Sequence, residues 1–225
     1  MNGEQLGESQ NAFMGRVRQA LAADVHKTAR PDGIGLARLV DPTDDLVGRF
    51  IHTAAAAGML VERTTSALAN SVIARLLKHH GGGRVLVSVS SRSVLAMLVE
   101  AAAAAGTTMV EPGREEPRGG LWRAFTADIG LTDVVFAVAE TGSIGLASSA
   151  GRGAYLATPV HLAVVRASQI AADLIDIVAR LDELARSDAS ITIVSGPSKT
   201  ADIEGVLITG VHGPGVVQIV VISDE

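Results

Sequence analysis

VLVSVSSRSVLAMLVEAAAAAG, residues 85–106, reads as a strand, a polar loop and a helix in succession. Val85–Val89 is an aliphatic run of the kind found in strands buried on both faces. Ser91 or Ser93 supplies a hydroxyl to cap the helix that follows, and Gly106 stops it. The same alternation extends outward. Before it, Thr43 caps a helix through about Ala57, Met59–Glu62 is a short strand, and Thr65–His79 is an amphipathic helix ended by Gly81-Gly82-Gly83. After it, Thr107–Val110 is a strand and Glu111–Gly120, with Pro112 and Pro117, is a loop. Asp133–Ala139 and Ile144–Ala147 are strands around a turn at Thr141-Gly142-Ser143. His161–Val165, Ile191–Val194 and Val216–Ile222 are further strands, and Gln169–Ala185 is a helix. Helices recurring between short aliphatic strands predict an α/β fold: one mixed, mostly parallel sheet with helices on both faces, antiparallel near Thr141.

The first 42 residues differ from the rest. Phe13, Met14, Val17, Ala20 and Leu21 share a helical spacing, and a Gly- and Pro-containing linker follows from Asp24 to Asp41. Residues 1–42 therefore read as an N-terminal helix and linker, packed peripherally or partly disordered, and residues 43–225 as the α/β domain.

Composition removes several function classes. The 225 residues carry a formal net charge of −5, so no global field draws nucleic acid or anionic lipid. One Trp, one Tyr and four Phe are too few for base-stacking platforms. Cysteine is absent, which excludes disulfides, thiolate metal sites, cysteine-ligated clusters and a cysteine nucleophile in this chain. The six histidines, 26, 52, 79, 80, 161 and 212, form no metal-spaced set, and no dinucleotide or P-loop fingerprint is present. The expectation is no metal, no flavin and no other cofactor, no membrane span, and a cytoplasmic location.

Four polar loops carry the candidate chemistry, placed in this reading at the carboxyl ends of strands, where open α/β sheets bind ligands. Ser90, Ser91 and Arg92 offer backbone N–H groups, hydroxyls and a guanidinium to an anion, or simply cap the helix. Glu140, followed by Thr141, Gly142 and Ser143, ends an apolar strand, and is a general base, a nucleophile or an exposed turn residue. Ser195, Gly196, Ser198, Lys199 and Thr200 lie in a ten-residue run, 195–204, that gathers three hydroxyls, an ammonium and two carboxylates. His212 and Gly213 stand in a glycine-rich turn where backbones can approach closely. The expectation is that the loops at 88–93, 140–145, 195–202 and 210–214 converge on one pocket for a small carboxylate or phosphate-bearing ligand, with Glu140 and Lys199 near one another.

At these loops the chain resembles a known family. The run GPSKTADIEGVLITGVHGPGVVQIVVI, residues 196–222, is similar to the C-terminal signature of the LUD domain, in its lactate-utilisation protein C group. ETGSIGL, from Glu140 to Leu146, matches that family's Glu-Thr-Gly motif, and HLAVV at 161–165 falls where the family has a strand. Two departures are small: Gly215 follows GVHGP, and Ser143 stands where Thr or Val is common. The resemblance implies a fold like that of the sugar-phosphate isomerase and CoA-transferase superfamily. It implies a cluster-free subunit of a system that oxidises L-lactate to pyruvate, beside cysteine-rich partner proteins that hold iron–sulfur clusters. Such a subunit binds a small anion or organises its partners. Fold relatives also leave open an acyl- or CoA-transfer enzyme using Glu140, and a metabolite-sensing scaffold without turnover.

Overall fold

The structure, a computed structural model, describes residues 8–23, 33, 38–110, 124–178, 180–201 and 207–224. Backbone proximity divides the chain into two compact units, Met1–Leu36 and Ala37–Glu225. The first contains helix α1 (Gln10–Ala23). Ser9 Oγ accepts the Ala12 N–H at its start, and Arg16 pairs with Glu8. Most of the linker expected between Asp24 and Asp41, and the loop expected at Glu111–Gly120, lie outside the described residues.

The second unit runs α2 (Leu46–Ala56), β1 (Leu60–Thr64), α3 (Ser66–His79), β2 (Arg84–Ser88), α4 (Arg92–Ala105), β3 (Thr108–Val110), β4 (Ile129–Asp133), β5 (Phe136–Val138) and β6 (Ser143–Ala147). It continues with α5 (Gly153–Leu156), β7 (Val160–Arg166), β8 (Ile170–Ala171), α6 (Leu174–Val178), α7 (Leu181–Ser187), β9 (Ile191–Val194), β10 (Lys199–Ala201), β11 (Leu207–Thr209) and β12 (Val216–Ile222). Six strands form a parallel sheet in the order β1-β12-β7-β4-β2-β3.

Side-chain alternation along these strands builds two cores. Val85 and Val87, Ile129 and Leu131, Leu162 and Val164, and Val220 and Ile222 meet α3 and α4 on one face. Ala69, Ala74, Ala101 and Ala102 are the buried small residues of those helices, so the alanine-rich stretches are close-packed surfaces. The opposite residues of β7 and β12, namely Ala163, Val165, Val217, Ile219 and Val221, meet Phe50 and Ala54 of α2, Tyr155 of α5, and Ala137 and Ile144.

The α/β class and the parallel sheet are as expected. The antiparallel strands, however, do not extend that sheet. They pair among themselves as a second sheet, β8-β5-β6-β9, with β10–β11 as a separate ribbon. Strand β4, which the sequence pattern does not predict, sits centrally between β2 and β7. The expected helix at 169–185 is interrupted: Ile170 and Ala171 pair with β5, and the Asp173 carboxylate accepts the N–H groups of Ile175 and Asp176 to begin a new helix. Thr43 does not cap α2. Its N–H and hydroxyl are held by Asp41 Oδ1, and Asp45 caps the helix through the Gly48 N–H.

Arg38 clamps α6 to the start of this unit. Its guanidinium donates to both Asp176 oxygens, at 3.1 and 2.6 Å, and lies 3.4 Å from Asp173 Oδ2. The hydrogen bonds from Arg38 hold the Asp176 carboxyl below its ordinary value of 3.8. A depressed folded-state value means stability that is present above the unfolded value and lost as pH falls through the folded one. The melting-temperature gap between the wild type and Arg38→Met is therefore expected to be constant at neutral pH and to shrink below pH 3.8. A gap that persists unchanged to pH 2 would show that the pair contributes nothing through charge.

Candidate functional site

A cleft of about 280 Å3 opens where β7 and β12 begin. Its lining includes Ile193, Val194, Ser195, Gly196 and Ser198 on one side, and His212, Gly213, Pro214 and Val217 on the other. Tyr155, Leu156 and His161 complete it. Backbone bonds hold the two loops together: the Ser198 N–H donates to Pro214 O at 2.9 Å, and the Gly210 N–H to Ser198 O at 2.9 Å. The Gly215 N–H donates to Pro159 O at 3.0 Å and so ties the second loop to the entry of β7.

His161 is the second residue of β7 and is 1% exposed. Its Nε2 lies 2.8 Å from Thr132 Oγ1, while Nδ1 is buried and has no hydrogen-bond partner. The Tyr155 ring stands 6.2 Å from the imidazole, centroid to centroid. Burial pushes the His161 pKa down to about 3, so the ring is neutral near pH 7. A buried imidazole with one unmet nitrogen costs about 1–3 kcal/mol, which makes it the most conspicuous polar group of the cleft. Sequence reasoning passed over His161 as one histidine in an apolar strand. The available signal was that same context, since burying a polar ring among aliphatic neighbours needs a reason.

The structure brings together Ser195, Gly196, Ser198, His212 and Gly213 at this cleft. A hydroxyl chain leads away from it: Ser195 Oγ to Ser143 Oγ at 2.7 Å, and Ser143 Oγ to Thr141 Oγ1 at 2.8 Å. Gly142 lies against α2, where the Thr53 hydroxyl donates to Ala139 O at 2.8 Å. Glu140, Lys199 and Thr200 are not among the lining residues. The Glu140 N–H donates to Ala172 O, Lys199 Nζ lies beside Gly58, and Thr200 pairs with Ile208 in the ribbon. Among the described residues the ion pairs are Arg16–Glu8, Arg38–Asp173, Arg38–Asp176 and Arg75–Glu62, and neither Glu140 nor Lys199 enters one. Residues 202–204 of the third loop lie outside the described residues.

The expected meeting of all four loops does not occur. Ser90 and Ser91 donate their N–H groups to the Asp133 carboxylate at 2.7–3.1 Å, and Arg166 donates to Ser93 Oγ at 2.7 Å. That cluster, with the exposed Arg92, stands at the carboxyl ends of β2, β4 and β7. His161 and Arg166 are five residues apart on β7, about 16 Å at ~3.3 Å per residue. The cleft is thus at the opposite end of the sheet from the Ser90–Arg92 loop. The reason is topological. The segment from β9 to Gly215 is a connection into β12, and a connection into a parallel strand must arrive at its amino end. The backbone cradle at Ser90 and Ser91 already holds an anion, the carboxylate of Asp133.

Among the described residues no three His, Cys, Asp or Glu side chains gather as a metal site requires, and no helix is long and apolar enough to cross a membrane.

Fold and cleft together define an α/β protein with a small cleft at the amino end of a parallel sheet. The family model described as the LUD domain matches residues 47–222, and the chain belongs to that family. Among its curated relatives are proteins named Lactate utilization protein C. The one from Bacillus licheniformis is 30% identical over 198 residues, covering 81% of this chain and 80% of the relative. The one from Deinococcus radiodurans is 36% identical over 113 residues, covering 49% of this chain, so the match spans about half of that relative, 53%. A crystal structure of a DUF162 family protein from Deinococcus radiodurans superposes with a TM-score of 0.57 at 24% identity. It covers 79% of this chain and 96% of the other, and shares the fold.

Proposed function

We propose that this chain serves lactate utilisation as a cluster-free subunit of a system oxidising L-lactate to pyruvate, and that it holds a small organic anion in the cleft above His161. The names of its relatives support the pathway. Without cysteine the chain offers no thiolate ligand to an iron–sulfur cluster, which supports the cluster-free reading. One observation carries the ligand reading. Two turns of the β9–β12 connection bring Ser195, Ser198 and His212 together with a buried imidazole, and among the described residues the lining contains no Asp or Glu. Hydroxyls and ring N–H groups without competing carboxylates suit an acid anion, and the apolar walls Ile193, Val194 and Val217 suit a short alkyl body. Lys199 and Glu140 do not line the cleft and have no part in this reading of it.

The test is growth on L-lactate. Deleting the gene is expected to abolish it, and restoring the wild-type chain to recover it. Restoring Ser198→Ala/His212→Ala together is expected to leave growth strongly impaired with the melting curve of the purified protein within about 3 °C of wild type. That margin corresponds to about 1 kcal/mol, two ordinary surface changes of roughly 0.5 kcal/mol each. Full growth with the double variant would remove the cleft from the function, and full growth without the gene would remove the pathway.

A further inference from the structure

We infer that the outward face of α4 is a self-association surface, on which a second copy of this chain docks antiparallel so that Arg92 of each copy meets Glu100 of the other. Helix α4 lies on the face of the sheet opposite Tyr155 and Val217 of the cleft, so the inference stands apart from the proposed function. Its inward side is committed: Val94, Leu98, Ala101 and Ala102 are buried in the core that α4 shares with α3 and the sheet. Its outward side exposes Leu95, Ala96, Val99 and Ala103, with Leu95 38% and Val99 47% exposed. The charged residues of the whole helix are Arg92 and Glu100. A solvated helix normally turns a charged stripe to water, as α3 does with Arg75 and Lys78. From Leu95 to Val99 no polar side chain interrupts the outward face of α4, which is the composition of a covered surface.

Charge decides the occupant. Arg92, Ala96, Val99 and Ala103 are spaced 4, 3 and 4 apart, the seam of a packed helix pair. Arg92 and Glu100 stand four residues to either side of Ala96, each about 6 Å away along the axis. Two copies related by a two-fold axis at Ala96 run antiparallel and set residues equally far from Ala96 against one another, so both ends of the contact pair an arginine with a glutamate. A parallel pair would set Arg92 on Arg92 and Glu100 on Glu100, which repels. The small side chain of Ala96 lets the helices approach where they cross, and the second copy then covers Leu95 and Val99. Both charges are available. Among the described residues Arg92 enters no ion pair. The Glu100 carboxylate accepts from Asn70 Nδ2 of α3 and keeps lone pairs for a guanidinium.

One helix pair is a small interface, so the association is expected in the micromolar range. The experiment is sedimentation equilibrium of the full chain up to about 100 μM, with melting curves as the check on folding. The samples are wild type, Arg92→Glu, Glu100→Arg, and an equal mixture of the two variants. Each variant alone sets like charges against one another at both ends of the contact, whereas a mixed dimer of the two restores opposite charges at both. The expected result is a wild type that approaches the mass of two 23.1 kDa chains, association at least tenfold weaker for each variant alone, and recovery to within threefold of wild type in the mixture. An effect of either substitution on its own chain cannot produce that recovery, because both chains in the mixture are still variants. If one variant folds poorly, Val99→Lys supplies the second reading, with the same tenfold loss expected. A wild type that stays monomeric at about 100 μM overturns the inference. A dimer that tolerates both charge reversals or Val99→Lys overturns it as well, because another surface then holds the copies together. Loss in both variants without recovery in the mixture overturns the antiparallel pairing.

Discussion

Gly130→Ala is expected to destabilise the folded chain by about 3 kcal/mol or more, at the upper end of what overpacking does. A Cβ on Gly130 would stand 1.8 Å from the Ala154 carbonyl oxygen and 2.5 Å from its carbon. Both atoms are backbone, so no rotamer change relieves the contact. Gly130 lies in β4, hydrogen-bonded between β2 and β7, and cannot retreat without breaking the parallel ladder. Ala154 is fully buried in α5, and its carbonyl also accepts the Thr158 hydroxyl at 2.7 Å. The site is coupled to this packing, since Tyr155 and Leu156 of α5 line the cleft. A chain of this size is expected to lose roughly 6–12 °C of melting temperature for such a change. Gly15→Ala is the control: nothing lies within 4 Å of its Cβ position, and alanine in a helix interior is neutral to favourable. An unaltered urea midpoint for Gly130→Ala would mean that α5 does not sit on β4 as described.

The second large effect is expected at Gly142, with a loss of roughly 2–5 kcal/mol on substitution by alanine. Two terms add. Gly142 has φ +68°, a left-handed conformation that costs an L-residue about 1–2 kcal/mol. Its Cβ would also stand 2.2 Å from the Ala54 nitrogen and 2.5 Å from the Ala54 Cα, inside a helix backbone, and overpacking of that kind adds about 1–3 kcal/mol. Ala54 is fully buried, so α2 would have to shift outward or the turn lift away. Lifting the turn breaks the chain of hydroxyls from Thr141 through Ser143 to Ser195, and a weaker grip on the cleft ligand should accompany the lost stability. The glycine of the Glu-Thr-Gly motif is thus accounted for by its left-handed backbone and its packing against α2. Urea denaturation of Gly142→Ala beside Glu140→Gln checks this, because only the first should move the midpoint by more than about 1 kcal/mol. Equal stability of the two variants would place the motif's importance elsewhere.

The sequence alone determined the class of fold. Aliphatic runs at Val85–Val89, His161–Val165 and Val216–Ile222, spaced by amphipathic helices with capping serines and terminal glycines, leave little besides a parallel sheet covered on both faces. These signals are local: periodicity and capping depend on residues within a few positions of one another, and the structure keeps Ser91 as the cap of α4 and Gly106 as its end. The C-terminal run, residues 196–222, by itself resembles the LUD domain. Only the tertiary structure decided where the polar loops go. Ser90 and Ser91 look like an anion cradle until Asp133, 42 residues on from Ser91, fills it. Gly130 carries no local signal for a strand, and its need for glycine follows from α5 lying across it. His161 looks like one more core residue until Thr132 takes one nitrogen and the loops carrying Ser195 and His212 roof over the other side. Each outcome depends on a partner brought close by strand order, and strand order is set by the summed burial of whole elements, which no short window of sequence contains.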